Sequence, residues 1–418
     1  MRTDQKSPNT ARKDRVGGSR PFIGLVTVSL DRVLSAAPAG GIVLIICAAI
    51  ALIWANSPWS DGYVALWSTR IPIGLNVHAA SITLRDVVND GLMAIFFFLV
   101  GLEIKREILV GHLATIRQAA LPVAAAFGGM IVPALFFVAL NASTHETRGW
   151  GIPMATDIAF ALGVLALLGN RIPASLRIFL AALAIADDLG AVLAIALFYT
   201  ATISLTALAA ALALLAIAIL ANATGVRSIW IYALIGFGLW IAVLFSGVHP
   251  TVAGVLLAFT IPSRARADAQ VQAPLIRMEQ ALNRPVTFGI MPLFALANAG
   301  VSLRGGAHLL SSPVALGVVF GLVLGKPIGI CLATWGAVRS GVARMPSGVS
   351  RRMLFGVACL GGIGFTMSLF IAGLAFGPSP DLLTSAKLGT FTASIIAGVV
   401  GWLVLRRAND TAIVGTQL

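Results

Sequence analysis

Four ionisable residues lie inside long apolar stretches of the sequence: Asp157, Asp187, Asp188 and Lys326. Placing one such side chain at the centre of a membrane helix costs about 2.5–3.5 kcal/mol. A structural ion pair between helices would account for Asp157 or Lys326 alone. It would not account for Asp187 and Asp188, because adjacent carboxylates repel each other. The four residues therefore indicate ion chemistry inside a membrane.

The adjacent carboxylates of Asp187 and Asp188 suit a site that two kinds of ion share. Two neighbouring acids in a medium of low dielectric constant cannot both ionise easily, and they titrate as a coupled pair. Small hard cations prefer oxygen ligands, which two carboxylates supply. Such a site holds either protons or a monovalent cation, and this competition is the minimum requirement for cation/proton antiport.

Two interrupted segments surround these residues. Asp157 lies in GIPMATDIAFALG (151–163), where a broken span would let Thr156 offer a hydroxyl or carbonyl ligand. A second, glycine-rich interruption is LGGIGFTMSLF (360–370), at the corresponding position of the other half of the chain. Paired interruptions of this kind indicate a midplane site between inverted repeats. Half-helix ends carry partial charges, which Asp157 and Lys326 could offset.

The rest of the chain predicts a helical membrane protein. Its 418 residues are 58% hydrophobic and 11% charged, whereas soluble domains are about 25% charged. The apolar runs are continuous rather than alternating, which excludes a transmembrane β-barrel. Because one crossing needs roughly 20 apolar residues, we predict an all-α polytopic fold with twelve transmembrane helices. They span about 38–56, 86–106, 118–140, 149–168, 174–199, 203–222, 228–246, 249–262, 274–300, 313–336, 351–376 and 384–405.

The basic residues orient this fold. The net charge of +13 could indicate nucleic acid, but 23 of the 29 Lys and Arg fall on the side of the termini, five fall on the other side, and Lys326 lies within a span. This positive-inside bias predicts cytoplasmic termini and no nucleic-acid partner. The predicted domains are a disordered basic tail (1–35), the twelve-span body (36–407), which has an external hairpin-like loop (57–85), and a C-terminal tail (408–418).

The sequence offers no sign of an enzyme or of a resident cofactor. Cys47, Cys331 and Cys359 fall within spans, where small apolar core residues are expected. The chain lacks the HExxH, P-loop and GxSxG motifs. An intramembrane aspartyl protease would need a GxGD motif, which is absent, and adjacent residues on one helix point about 100° apart. The sequence therefore predicts a transporter without a cofactor.

Several segments closely resemble the NhaA family of sodium/proton antiporters, over residues 36–405. The resemblance is carried by GLEIKRE (101–107), ATDIAFALGVLALLG (155–169), ALAIADDLGA (182–191), SGVHPTVAG (246–254), MPLFALANAGVSL (291–303), GKPIGI (325–330) and GIGFTMSLF (362–370). This family is itself a known example of inverted-topology repeats. The resemblance implies that fold, with two interrupted helices that cross each other.

The resemblance also implies a role for each residue of the site. Asp188 would be the principal sodium ligand and proton carrier. Asp187 would be its partner, alternately protonated or paired with Lys326. Asp157 and Thr156 would lie beside the ion at the crossing of the broken helices.

A second set of residues would line the cytoplasmic entrance, where the family senses pH. The set comprises Glu103, Arg106, Glu107, Glu279 and His249. The first three could instead form an ordinary charge cluster at a helix end, and His249 could make only a local hydrogen bond. Gln280 and Asn283 stand where some members of the family carry histidines, so the pH profile stays open.

These observations favour one function over its alternative. We expect a pH-regulated, electrogenic antiporter that exports Na⁺ or Li⁺ in exchange for more than one H⁺. The alternative is a sodium-coupled symporter of organic anions, although the chain lacks an obvious larger polar pocket. The resemblance implies a bacterial inner-membrane location and a homodimer formed through the loop at residues 57–85.

Overall fold

The computed structural model describes residues 39–73, 80–111, 113–144, 146–200, 203–263, 272–303 and 306–414. The predicted N-terminal tail, residues 1–35, lies outside the described residues. Fifteen helices follow one another in the described chain: α1 Ala39–Ala55, α2 Ser60–Ser68, α3 Leu84–Val110, α4 Ile116–Asn141, α5 Ile158–Ala166, α6 Ala174–Phe198, α7 Leu205–Ala223, α8 Ile229–Ser246, α9 Thr251–Thr260, α10 (274–298), α11 Gly306–Leu310, α12 Pro313–Arg339, α13 Arg351–Gly361, α14 Phe365–Phe376 and α15 Pro380–Val414. Short 3₁₀ turns at Thr147–Gly151 and Gly169–Arg171 precede α5 and α6.

This architecture confirms the predicted all-α polytopic membrane fold. Within the described residues, seven helices are long and apolar enough to cross a bilayer by themselves: α3, α4, α6, α7, α8, α12 and α15. Two bent pairs pass the same test when each is taken together, α1 with α2 at 113° and α13 with α14 at 42°. The total of twelve crossings stays a prediction.

The segment between α1 and α3 contains both a helix and a hairpin. Strands β1 (Arg70–Ile73) and β2 (Ala80–Thr83) pair antiparallel, with Arg70 opposite Thr83. The sequence pattern predicts a hairpin here, but it contains no signal for α2. Thr83 then begins α3 with a capping box, because its hydroxyl accepts from Asp86 N at 3.2 Å and its own N–H donates to Asp86 Oδ2 at 2.9 Å.

The last helix, α15, is longer than its apolar pattern indicated. It begins at Pro380 and runs to Val414, so residues 408–414 of the predicted C-terminal tail are helical. An apolar pattern marks the part of a helix that lies in the membrane, and it gives no signal for a polar extension.

Glycines set the spacing of α4 and α12. A Cβ atom added to Gly128 would lie 2.2 Å from the carbonyl oxygen of Gly329, and one added to Gly329 would lie 2.0 Å from that of Gly128. Only glycine at both positions allows this approach. A π-helical turn at Gly321–Gly325 comes directly before Lys326 on α12. Such turns re-aim the side chains that follow them and are frequent at functional sites.

The two interruptions predicted from the sequence lie in contact with each other. Residues 155–157 are extended before α5, and residues 362–364 separate α13 from α14. The backbone N–H of Asp157 donates to the carbonyl of Ile363 at 2.7 Å. Each break therefore supplies a hydrogen-bond partner that the other break needs at membrane depth.

Candidate cation and proton site

Asp187 on α6 is held by partners from two other segments. Its Oδ2 lies 2.8 Å from Nζ of Lys326 on α12, and both side chains are wholly buried. The hydroxyl of Thr156 lies 2.8 Å from the same oxygen and 2.9 Å from the carbonyl of Gly361. Nζ of Lys326 also donates to the carbonyl of Met154. Asp187 is therefore one half of a buried ion pair located at the first interruption.

Asp188 stands in contrast, because it has no such partner. Its side chain is 2% exposed, and it makes no hydrogen bond or ion pair with any residue in the described parts of the chain. Oδ1 of Asp187 is likewise buried without a partner. Buried polar atoms are normally satisfied. Two neighbouring acids that each keep an open oxygen are thus suited to a proton or to a cation.

Asp157 is fully occupied by the ends of two helices. Its Oδ1 accepts from Phe160 N at 3.0 Å, at the N-terminus of α5. Its Oδ2 accepts from the N–H of Thr366 at 3.1 Å and from the Thr366 hydroxyl at 2.6 Å, at the N-terminus of α14. One carboxylate thus caps two half-helices whose positive ends point at it.

This geometry divides the predicted binding set. Thr156 joins Asp187 and Asp188 at the ion pair. Asp157 lies beside them, 1% exposed, but both of its oxygens are engaged at helix ends. Its negative charge offsets the N-termini of α5 and α14, while the ammonium of Lys326 meets the Met154 carbonyl before the break. The structure therefore favours Asp157 as a charge-compensating residue over Asp157 as a cation ligand.

Sequence reasoning missed three contributors to the site: the hydroxyl of Thr366 and the carbonyls of Met154 and Gly361. A threonine two residues after a glycine-rich break was a usable signal, because an interrupted helix needs a partner at each new end. The carbonyls gave no signal, since every residue carries one.

The predicted entrance residues from α3 and α10 come together at a second buried cluster. Arg106 reaches Glu107 through Nη2 and Glu279 through Nη1, each at 3.0 Å. These three side chains are 2–3% exposed. Glu103 lies close enough to interact electrostatically with all three and also with Asp188. The cluster therefore joins α3 to α10 and extends toward the Asp pair.

The structure does not place His249 with that cluster. Its Nε2 lies 3.5 Å from Asp90 Oδ1, its Nδ1 lies 2.8 Å from the Thr251 hydroxyl, and its ring meets Phe370 edge-on at 5.4 Å. Asp90 is thirteen residues before Glu103 on α3, which is about 20 Å of helix axis. His249 therefore does not lie with the other four predicted entrance residues, because a motif match carries no information about which end of a helix a residue occupies. A role for His249 in the pH response stays a prediction.

Fold and geometry together define a multi-pass membrane protein that buries charged residues where two broken helices meet. The profile of the family described as Na⁺/H⁺ antiporter 1 matches residues 31–405. The chain belongs to that family.

The chain is also similar to curated proteins over most of their length. The chain is 49% identical to "Na(+)/H(+) antiporter NhaA 2" of Syntrophotalea carbinolica, over 88% of this chain and 94% of the relative. It is 53% identical to "Na(+)/H(+) antiporter NhaA" of Rhodospirillum rubrum, over 88% and 94%. It is 52% identical to the protein of the same name from Paramagnetospirillum magneticum, over 91% and 96%.

Proposed function

We propose that this chain is a secondary transporter that exchanges Na⁺ or Li⁺ for protons at Asp187 and Asp188. One observation carries the proposal. Asp188 is buried without a partner beside Asp187, and the only buried cation that contacts the pair among the described residues is Lys326, at 2.8 Å from Asp187. Its membership of the family and the printed names of its relatives support the same function.

The exchange follows from competition for one pair of carboxylates. In the proton-loaded state, Asp188 carries a proton and Asp187 is paired with protonated Lys326. In the cation-loaded state, both carboxylates are ionised around one Na⁺ and Lys326 is neutral. Two protons leave as one Na⁺ enters, so the net charge of the site falls by one. The cycle is therefore electrogenic and responds to the membrane potential as well as to the pH gradient.

The entrance cluster is proposed to regulate access by pH. Glu103, Glu107 and Glu279 all interact with Arg106, so protonation of any of them changes the charge that holds α3 against α10. The cluster also acts electrostatically on Asp188. Gln280 and Asn283 supply no titrating group here, and regulation is assigned to the carboxylates.

The protein is proposed to lie in the bacterial inner membrane with both termini in the cytoplasm. The support is the distribution of its basic residues, which follows the positive-inside rule. The hairpin of β1 and β2 would then be external, where it is proposed to pair with a second copy. Deletion of residues 70–84 should yield active monomers, and a deletion protein that still runs as a dimer would place the contact elsewhere.

The transport proposal is tested with purified protein in proteoliposomes that contain a pH-sensitive dye. Na⁺ should move protons in the wild type and in Asp381→Asn, whose side chain is exposed at the start of α15. Asp187→Asn and Asp188→Asn should each abolish this response. Full activity in both of the latter variants would overturn the assignment.

A further inference from the structure

Lys387 is a buried cation that the transport cycle does not use. It lies about two turns into α15 and is 6% exposed. No described residue hydrogen-bonds to it or forms an ion pair with it, and the charged group that acts on it is another cation, Arg85. A largely buried side chain whose ammonium has no counter-charge is unfavourable. Lys387 therefore calls for an anion that the described chain does not supply.

Two further donors at the same end of the bundle also lack acceptors. Nε of Arg85 and Nε1 of Trp67 are both buried without a hydrogen-bond partner. The carbonyl of Thr69 accepts from Leu84 N at 2.9 Å, and this bond holds the end of α2 against the start of α3. Trp67 and Arg85 thus lie on adjoining segments. An indole N–H can only donate, so Trp67 and Arg85 share the same need for an acceptor.

The neighbouring acids are committed to other contacts or face outward. Asp86 Oδ2 accepts from both the N–H and the hydroxyl of Thr83, at 2.9 and 2.7 Å. Asp90 is directed to His249 at 3.5 Å. Asp61 and Asp381 are exposed. None of the carboxylates described at this end therefore neutralises Lys387.

We infer that Arg85, Lys387 and the indole N–H of Trp67 form a binding site for a phosphate group. A guanidinium matches phosphate oxygens with a planar fork, and an ammonium adds a point charge. The site lies where the end of α2 meets the start of α3, with Lys387 of α15 close enough to Arg85 for the two charges to interact, and away from the Asp pair. It is independent of whether the chain transports ions.

A phospholipid headgroup is the phosphate available at this depth. Helix α2 turns 113° away from α1. Trp59, the residue before α2, is 76% exposed, and Val64 and Leu66 on the helix are 58% and 39% exposed. Exposed tryptophan and aliphatic side chains at a sharply turned helix are typical of a membrane interface. Free inorganic phosphate has the same chemistry, and the experiment separates these two sources.

The test is thermal unfolding of delipidated protein in an uncharged detergent. Dioleoyl phosphatidylglycerol should raise the Tm of the wild type by a few degrees through binding to the folded state, and dioleoylglycerol should not. Lys387→Gln and Trp67→Phe should lose at least half of this shift. Lys387→Arg, which keeps the charge, and Arg70→Gln, which removes an exposed cation, should retain it.

The outcomes are distinct. A full shift with inorganic phosphate alone would assign the site to the free oxyanion, and a shift with the phospholipid alone would assign it to a headgroup. A wild-type shift in Lys387→Gln, or an equal effect of dioleoylglycerol, would overturn the inference. Without lipid, the Tm of Lys387→Met should be higher than that of the wild type, because an unpaired charge is gone. With phosphatidylglycerol, its Tm should be lower than that of the wild type. A purely structural role of Lys387 would not give this reversal.

The wild-type protein provides a check that needs no variant. An amine-reactive reagent should label Lys387 faster after delipidation than in the presence of phosphatidylglycerol, with the modification read by peptide mass spectrometry. Equal labelling under both conditions would also contradict a phosphate contact at Lys387.

Discussion

Lys326 and Asp187 form a 2.8 Å ion pair in which neither side chain reaches solvent. The residue next in sequence, Asp188, is equally buried and has no partner among the described residues. The chain thus keeps one carboxylate neutralised and the other open on the same turn of α6. In the proposed cycle, an entering Na⁺ replaces both the proton of Asp188 and the ammonium charge beside Asp187, and this couples the two losses.

Removal of the ammonium should expose how much the pair contributes. Lys326→Met leaves Asp187 as an uncompensated buried charge, and we expect a loss of about 3–5 kcal/mol of stability at neutral pH. The double variant with Asp187→Asn should lose less than Lys326→Met alone, because no charge stays buried. Thermal unfolding of both variants checks this, with Arg339→Met, an exposed position on α12, as the control. Additive losses would contradict a direct pair.

The double cap at Asp157 predicts a different response. Asp157→Asn keeps one oxygen acceptor but turns an NH₂ group toward donors at one of the two helix N-termini. We expect a loss of about 1–3 kcal/mol from the unsatisfied group. Thr366→Val removes only the hydroxyl and should cost less, about 1 kcal/mol. Thr384→Val serves as the control, because it removes a hydroxyl that donates to the Pro380 carbonyl in a solvent-exposed bond at the start of α15. Equal losses in all three variants would argue against the capping role.

Because α4 packs closely against only part of α12, the same change from glycine to alanine should lower stability at one position of α12 and raise it at another. Gly329→Ala would place a methyl 2.0 Å from the Gly128 carbonyl, and we expect destabilisation of about 1–3 kcal/mol. Transport should also fall, because a shifted α12 carries Lys326 away from Asp187. Gly336→Ala meets nothing within 4 Å and should stabilise by about 0.5–1 kcal/mol. Thermal unfolding and transport assays on the two variants check this, and equal stability of the two variants would contradict the close packing at Gly329.

The bridge between Arg106 and Glu279 should be visible as a coupling energy. Arg106→Gln leaves Glu107 and Glu279 without their shared cation and should be strongly destabilising, whereas the double variant with Glu279→Gln should recover part of the loss. If the cluster controls access, both variants also shift the pH at which antiport begins. Arg277→Gln, at an exposed position on α10, should leave stability and pH profile unchanged.

The sequence predicted the site residues and the helix breaks, because both depart from the continuous apolar pattern of a membrane helix. Charged residues in apolar segments identified Asp157, Asp187, Asp188 and Lys326, because such residues are expensive to insert. Glycine-rich and proline-containing interruptions of the apolar pattern located both helix breaks. These signals are local in the sequence, so a single sequence is sufficient to predict both features.

Other features depend on contacts between distant segments, and the sequence could not give them. Both oxygens of Asp157 accept hydrogen bonds only because α14 packs beside α5, and no local sequence pattern encodes that packing. The position of His249 near Asp90 depends on how α9 packs on α3. Helix α2 is short and weakly patterned, so its apolar residues read as part of a loop. The π-helical turn before Lys326 similarly follows from packing against α4.

Competition between protons and sodium at Asp187 and Asp188 can be measured as the release of protons when sodium binds. Na⁺ is added to purified protein in lightly buffered detergent, and protons are counted with a pH-sensitive dye against the amount of Na⁺ bound. About two protons should be released for each Na⁺ that binds, and none should be released by Asp188→Asn. Sodium binding without proton release, or release that persists in Asp188→Asn, would contradict competition for the Asp187 and Asp188 carboxylates.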